Sequence, residues 1–132
     1  MRGLTTCMAD TFHNLDLDLA LLHEIADGSD EFIVESIELF LEQIPTSLQD
    51  INNALSTKNW GMVAAEAHKL KATLGFFGML NSQALIQEIE QSCKTDAPDE
   101  LDIATKFNQM QALIAANTGT LTKIKEERKA RL

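Results

Sequence analysis

A chain of 132 residues with a hydrophobic fraction of 45% is sized for one domain around one continuous core, and its composition excludes wholesale disorder. Its formal net charge of −9 argues against nucleic acid and membrane surfaces as partners, because anionic surfaces are bound mainly through clustered Lys and Arg. No stretch approaches the roughly 18 apolar residues of a membrane span, and the opening MRGLTTCMADTF has no apolar signal core, so the cytoplasm is the expected location.

Residues 1–15 show no clear period and read as a flexible lead-in; residues 16–130 read as the folded domain. The first helix is expected from about Asp16 to Ala26, with Leu17, Ala20, Leu21 and Ile25 at helical spacing. Asp27-Gly28-Ser29-Asp30 is a stop and restart: Gly suits a left-handed helix end, and Ser29 or Asp30 can cap the next helix. That second helix runs from about Asp30 to Ser56 on a stripe of Ile33, Ile37, Phe40, Leu41, Ile44, Leu48, Ile51 and Leu55. Pro45 lies inside it and predicts a kink or local break, the kink being favoured because the period resumes beyond.

The third helix is expected near Asn59 to Phe77, with Val63, Ala67, Leu70, Leu74 and Phe77 inward and Gly78 as its terminator. Asn81 or Ser82 would cap a fourth helix reaching about Cys93, with Leu85, Ile86 and Ile89 inward. Pro98 suits the first turn of a fifth helix, on which Ile103, Phe107, Met110, Ile114, Asn117, Leu121 and Ile124 recur. This regularity predicts one long helix despite Gly119. Four amphipathic helices with short connections imply an all-α, up-down antiparallel four-helix bundle with a short additional N-terminal helix. A monomer is expected.

Cys7 and Cys93 match no zinc spacing and read as free thiols. His13 and His23 have no second ligand at a useful spacing and read as ordinary histidines. No metal site is expected. His68 is different. At about 100° per residue, Ala64, Ala65, His68, Lys71, Ala72 and Gly75 share one face, beside the Leu70 and Leu74 stripe. The ring should therefore face solvent among small neighbours, in a clearing that lets another protein approach. Glycine is disfavoured inside a helix, so Gly75 suggests a need for close approach. Lys71, three residues on, can reach the same space as His68, and an ammonium there suits a phosphoryl group. Lys69 points partly away and is a weaker candidate. Phe76 and Phe77 divide between core and the edge of this surface. The C-terminal KIKEERKARL can pair with the acidic second helix or sit at a helix C-terminus, where cations are favoured.

The run His68-Lys69-Leu70-Lys71-Ala72, with Gly75 and then Gly78 ten positions after the histidine, resembles the H-x-L-K-G signature of the histidine-phosphotransfer (HPt) family. The likeness extends over about residues 15 to 115, including Phe40-Leu41-Glu42-Gln43-Ile44-Pro45 and the following helices. One departure is Ala72, where the family has Gly. Its added methyl should leave docking intact while narrowing the choice of partner.

The resemblance implies a phosphoryl carrier in a two-component phosphorelay, with His68 as phosphoacceptor. Lys71 and Lys69 would lie near the phosphate, and Ala64, Ala65, Ala72 and Gly75 on the receiver-docking face. The implied partners are response-regulator receiver domains and a hybrid sensor kinase. The receiver would supply Mg²⁺, and the carrier would need no cofactor of its own. A neutral imidazole, with an unperturbed pKa of about 6.5, is a competent nucleophile near neutral pH. The sequence holds no Gly-rich phosphate loop, so autonomous kinase activity is not expected. Two other readings compete: the phosphoacceptor and dimerisation part of a histidine kinase, and a helical adaptor that is never phosphorylated. The kinase reading fits less well, because Lys69 follows the histidine where an acidic residue is usual.

Overall fold

The computed structural model describes residues 16–132, which form five helices and no strands. They are α1 (Ala20–Ala26), α2 (Asp30–Ser56), α3 (Trp60–Phe76), α4 (Leu80–Cys93) and α5 (Glu100–Lys129). Helix α2 packs on α3, α3 on α4 and α4 on α5, while α5 closes back on α2, and α1 packs against α2. The result is a four-helix bundle with a short N-terminal helix. Among the described residues no helix is long and apolar enough to cross a membrane.

The bundle follows from the apolar seams. Ile33, Ile37, Phe40, Ile44 and Ile51 of α2 are buried against Val63, Ala67, Leu70 and Leu74 of α3. Ile86 and Ile89 of α4 and Ile103, Phe107, Met110, Ile114 and Leu121 of α5 complete the core. Helix ends are set by local chemistry. Ser29, Asn59 and Asp99 each accept a hydrogen bond from a backbone N–H three residues on, capping α2, α3 and α5. Pro45 stands on the exposed side of α2, and the helix runs through it without a break. Gly119 interrupts nothing in α5, where a Cβ at that position would meet open space.

Several expectations need correction. Helix α1 begins at Ala20, not Asp16, and it buries Leu22 and Ala26 while Leu21 and Ile25 stay exposed. The inward stripe is thus one residue out of register with the expected one. At the start of α1 the Ala20 N–H is taken by Asp18 at 3.0 Å, while the Asp16 carboxylate is spent elsewhere. It accepts hydrogen bonds from Asn81 N–H at 2.6 Å, Ser82 N–H at 2.8 Å and the Ser82 hydroxyl. The cap of α4 is therefore supplied from 65 residues away rather than by Asn81 or Ser82. Gly78 makes this crossing possible. Its φ is +66°, and a Cβ there would collide with the Asp18 backbone. Pro98 precedes the Asp99 cap and so lies outside the first turn of α5. The basic C-terminus both ends α5 and crosses to α2: Arg128 meets Asp30 at 2.8 Å, and Lys129 meets Glu38 at 3.2 Å.

Candidate functional site

Helix α3 holds His68 between the buried Ala67 and Leu70, so backbone periodicity turns the imidazole outward, and its side chain is 71% exposed. The ring is tethered at one point. Its Nδ1 lies 3.1 Å from Oε2 of Glu90 on α4. Glu90 is placed by the inward face of α4, where Ile86, Ile89 and Cys93 are buried around it, and its side chain is only 5% exposed.

Burial works against ionisation of this carboxyl, yet hydrogen bonds from Lys71, Lys94 and His68 outweigh it and hold the pKa at about 2. Lys71 donates to Oε1 at 3.0 Å and Lys94 to Oε2 at 3.0 Å. Glu90 is therefore a carboxylate at neutral pH and can only accept. An acceptor-only carboxylate requires the proton on Nδ1, and in the neutral ring Nε2 then carries the lone pair.

The sequence-derived site residues are distributed unevenly around this centre. Ala65 is exposed beside His68, and Ala72 is exposed one turn further on. Ala64 is only 8% exposed and belongs to the core edge; it still lines the shallow concavity formed with Gly61, Ala65, His68, Lys69, Glu90 and Lys94. Gly75 does not serve as open floor. The Gln83 side chain lies over it, with Nε2 2.5 Å from where a Cβ would stand, and donates to the Lys71 carbonyl at 3.1 Å. The missing side chain gives room to Gln83 of α4. Lys69 turns away to Glu66 at 3.2 Å. Lys71 reaches the same carboxylate as the ring, and its ammonium is engaged with Glu90 rather than free.

Sequence reasoning missed Glu90 and Lys94. The signal was present: Ile86, Ile89, Glu90 and Cys93 fall on one helical face, so a carboxylate stands on the apolar stripe and demands a partner. Phe77 is core, and Phe76 is half-buried in a groove between α2 and α3 with Leu39, Phe40, Ala72 and Thr73. His23 is exposed, with Nε2 3.2 Å from an Arg128 guanidinium nitrogen. Cys93 is buried, which pushes its thiol above the usual range. His13 and Cys7 lie outside the described residues. Among the described residues, no group of three or more His, Cys, Asp or Glu side chains is arranged to hold a metal ion.

The Hpt domain family model matches residues 35–118, more than half of the chain, and runs from within α2 through most of α5 with His68 and Glu90 inside it. The chain belongs to the Hpt family. Its structure is similar to the crystal structure of the HPT domain from a sensor hybrid histidine kinase of Shewanella, with a TM-score of 0.59 and 23% sequence identity. That match covers 89% of this chain and 93% of the other. None of the curated proteins matches at a significant level. Membership in the Hpt family gives this domain a histidine-phosphotransfer role in two-component phosphorelays. It places receiver domains and hybrid kinases among the partners of this Hpt domain.

Proposed function

We propose that this Hpt domain carries a phosphoryl group on Nε2 of His68 between receiver-domain aspartates. The observation that carries the reading is the tethered, outward ring: Nδ1–H is held by Glu90 at 3.1 Å while the side chain remains 71% exposed. A receiver presents an aspartyl phosphate in its acidic pocket. As the P–O bond to the receiver breaks, the P–Nε2 bond forms and the receiver aspartate regains its carboxylate. The ring keeps its Nδ1 proton throughout and becomes a cation, stabilised by the Glu90 carboxylate. In the reverse step the same proton lets the ring depart as neutral imidazole, a far better leaving group than imidazolate.

The carrier thus contributes an oriented nucleophile and a preset charge environment, and no proton has to be removed. The divalent cation of the transfer is assigned to the receiver, and no cofactor to this chain. The groove of Leu39, Phe40, Ala72, Thr73 and Phe76 supplies an apolar seat for the receiver beside the reactive ring. Autonomous labelling from ATP is not expected of this chain, and a monomer is the working form.

Incubation with a phosphorylated receiver tests the reading. Label should appear that is acid-labile and alkali-stable, and should vanish in His68→Gln. Label that persists in His68→Gln would exclude this ring as the acceptor.

A further inference from the structure

The two oxygens of Glu90 are divided unequally among their cations. Lys71 holds Oε1 alone, and its side chain is 28% exposed. Lys94 holds Oε2, the oxygen that the His68 ring also reaches, and its side chain is 63% exposed. Lys94 is the C-cap of α4, one turn beyond Glu90, and lines the same concavity as His68. Its ammonium therefore stands beside the space that an incoming group must enter. Lys69, the other cation in that concavity, is occupied by Glu66.

Phosphorylation changes the competition at Oε2. Before transfer, the ring and an ammonium share the oxygen. Afterwards the ring is cationic, its Nδ1–H bond to Oε2 becomes charge-assisted on both sides, and a dianionic phosphoryl group lies within the concavity. The ring then has the stronger claim on Oε2, and the exposed ammonium gains a richer acceptor.

We propose that Lys94 is a mobile positioning cation that pairs with Glu90 while His68 is unmodified and turns to the phosphoryl oxygens once the ring is phosphorylated. Lys71, on the opposite oxygen and more deeply set, stays in place and holds Glu90. The inference rests on His68 being the phosphoacceptor. The ammonium moves with all its protons, and no bond beyond the P–O to P–N exchange is made or broken.

The test uses the full chain phosphorylated chemically with potassium phosphoramidate, which needs no partner protein, and follows the phosphohistidine resonance by phosphorus NMR against pH. Lys94→Ala should move the titration midpoint of the phosphorylated site upward by about 0.5 pH unit, as expected for losing one partly exposed cation. Lys94→Arg should restore it, and Lys71→Ala should move it less than Lys94→Ala does. Circular dichroism serves to show that all three variants are folded. An unchanged midpoint in Lys94→Ala, or a larger shift in Lys71→Ala, overturns the proposal. Absence of any phosphohistidine that is lost in His68→Gln would instead overturn the phosphoacceptor reading, and this inference with it.

Discussion

Glu90 is the residue on which the proposed chemistry turns, because one buried anion meets the ring nitrogen and two ammonium groups together. Replacing it by Gln keeps the shape but removes the charge that stabilises a cationic ring, so Glu90→Gln should slow transfer from a receiver by about tenfold or more. Single-turnover transfer kinetics measure this directly. The same carboxylate links stability to pH. Its folded pKa of about 2 lies below the roughly 4.3 of an unfolded glutamate. Its contribution is therefore fully present above about pH 4.3 and is lost as the pH falls toward about 2. Thermal unfolding should show Glu90→Gln several degrees below the unmodified protein at pH 6, with the gap closing toward pH 2. A gap independent of pH would mean that packing, not charge, sets the difference. At this scale the sequence revealed His68 well, since exposure follows from its place one residue past buried Ala67. It did not reveal the state of Lys71, because the partner that engages its ammonium stands 19 residues away on another helix.

Among the elements, α4 owes its start to a residue that is not part of it. Asp16 satisfies two backbone N–H groups and a hydroxyl at the N-terminus of α4. Asp16→Ala should cost about 1–2 kcal/mol in chemical denaturation. The sequence offered Asn81 and Ser82 as local caps and had no means of weighing a distant carboxylate against them. The start of α1 was misplaced because Asp16 is committed to α4 and the first helical N–H, that of Ala20, is taken by Asp18. The inward face of α5 was legible even though its start at Pro98 was misplaced, since the spacing identified every buried position, including Asn117. That asparagine is fully buried, and neither Oδ1 nor Nδ2 meets a hydrogen-bond partner among the described residues. Asn117→Leu should therefore raise stability by about 1 kcal/mol or more, read as a higher denaturation midpoint at an unchanged slope.

Across the whole molecule, the bundle was readable because helical periodicity reports what each face must bury, whatever the tertiary arrangement. The pairing of charges was less so. The acidic α2 and basic C-terminus each suggested a complement, but only folding brings Asp30 and Glu38 to Arg128 and Lys129. Arg128 holds the Asp30 carboxyl below its usual range, against a smaller opposing effect of desolvation. These contacts are exposed enough to be screened. Raising the salt concentration should thus speed amide hydrogen exchange in the last turns of α5 and leave the α3–α4 core unchanged. Equal acceleration everywhere would mean that the helix end is not held by charge.

The groove between α2 and α3 shares no residue with the ion cluster at Glu90. With a receiver seated in that groove as proposed, reactivity and recognition would lie in separate places. On that proposed docking, substitutions at Leu39, Gln43, Thr73 or Phe76 would change which signalling circuit engages this carrier and leave the nucleophile's tuning as it was, so that insulation from unwanted cross-talk could evolve without loss of turnover.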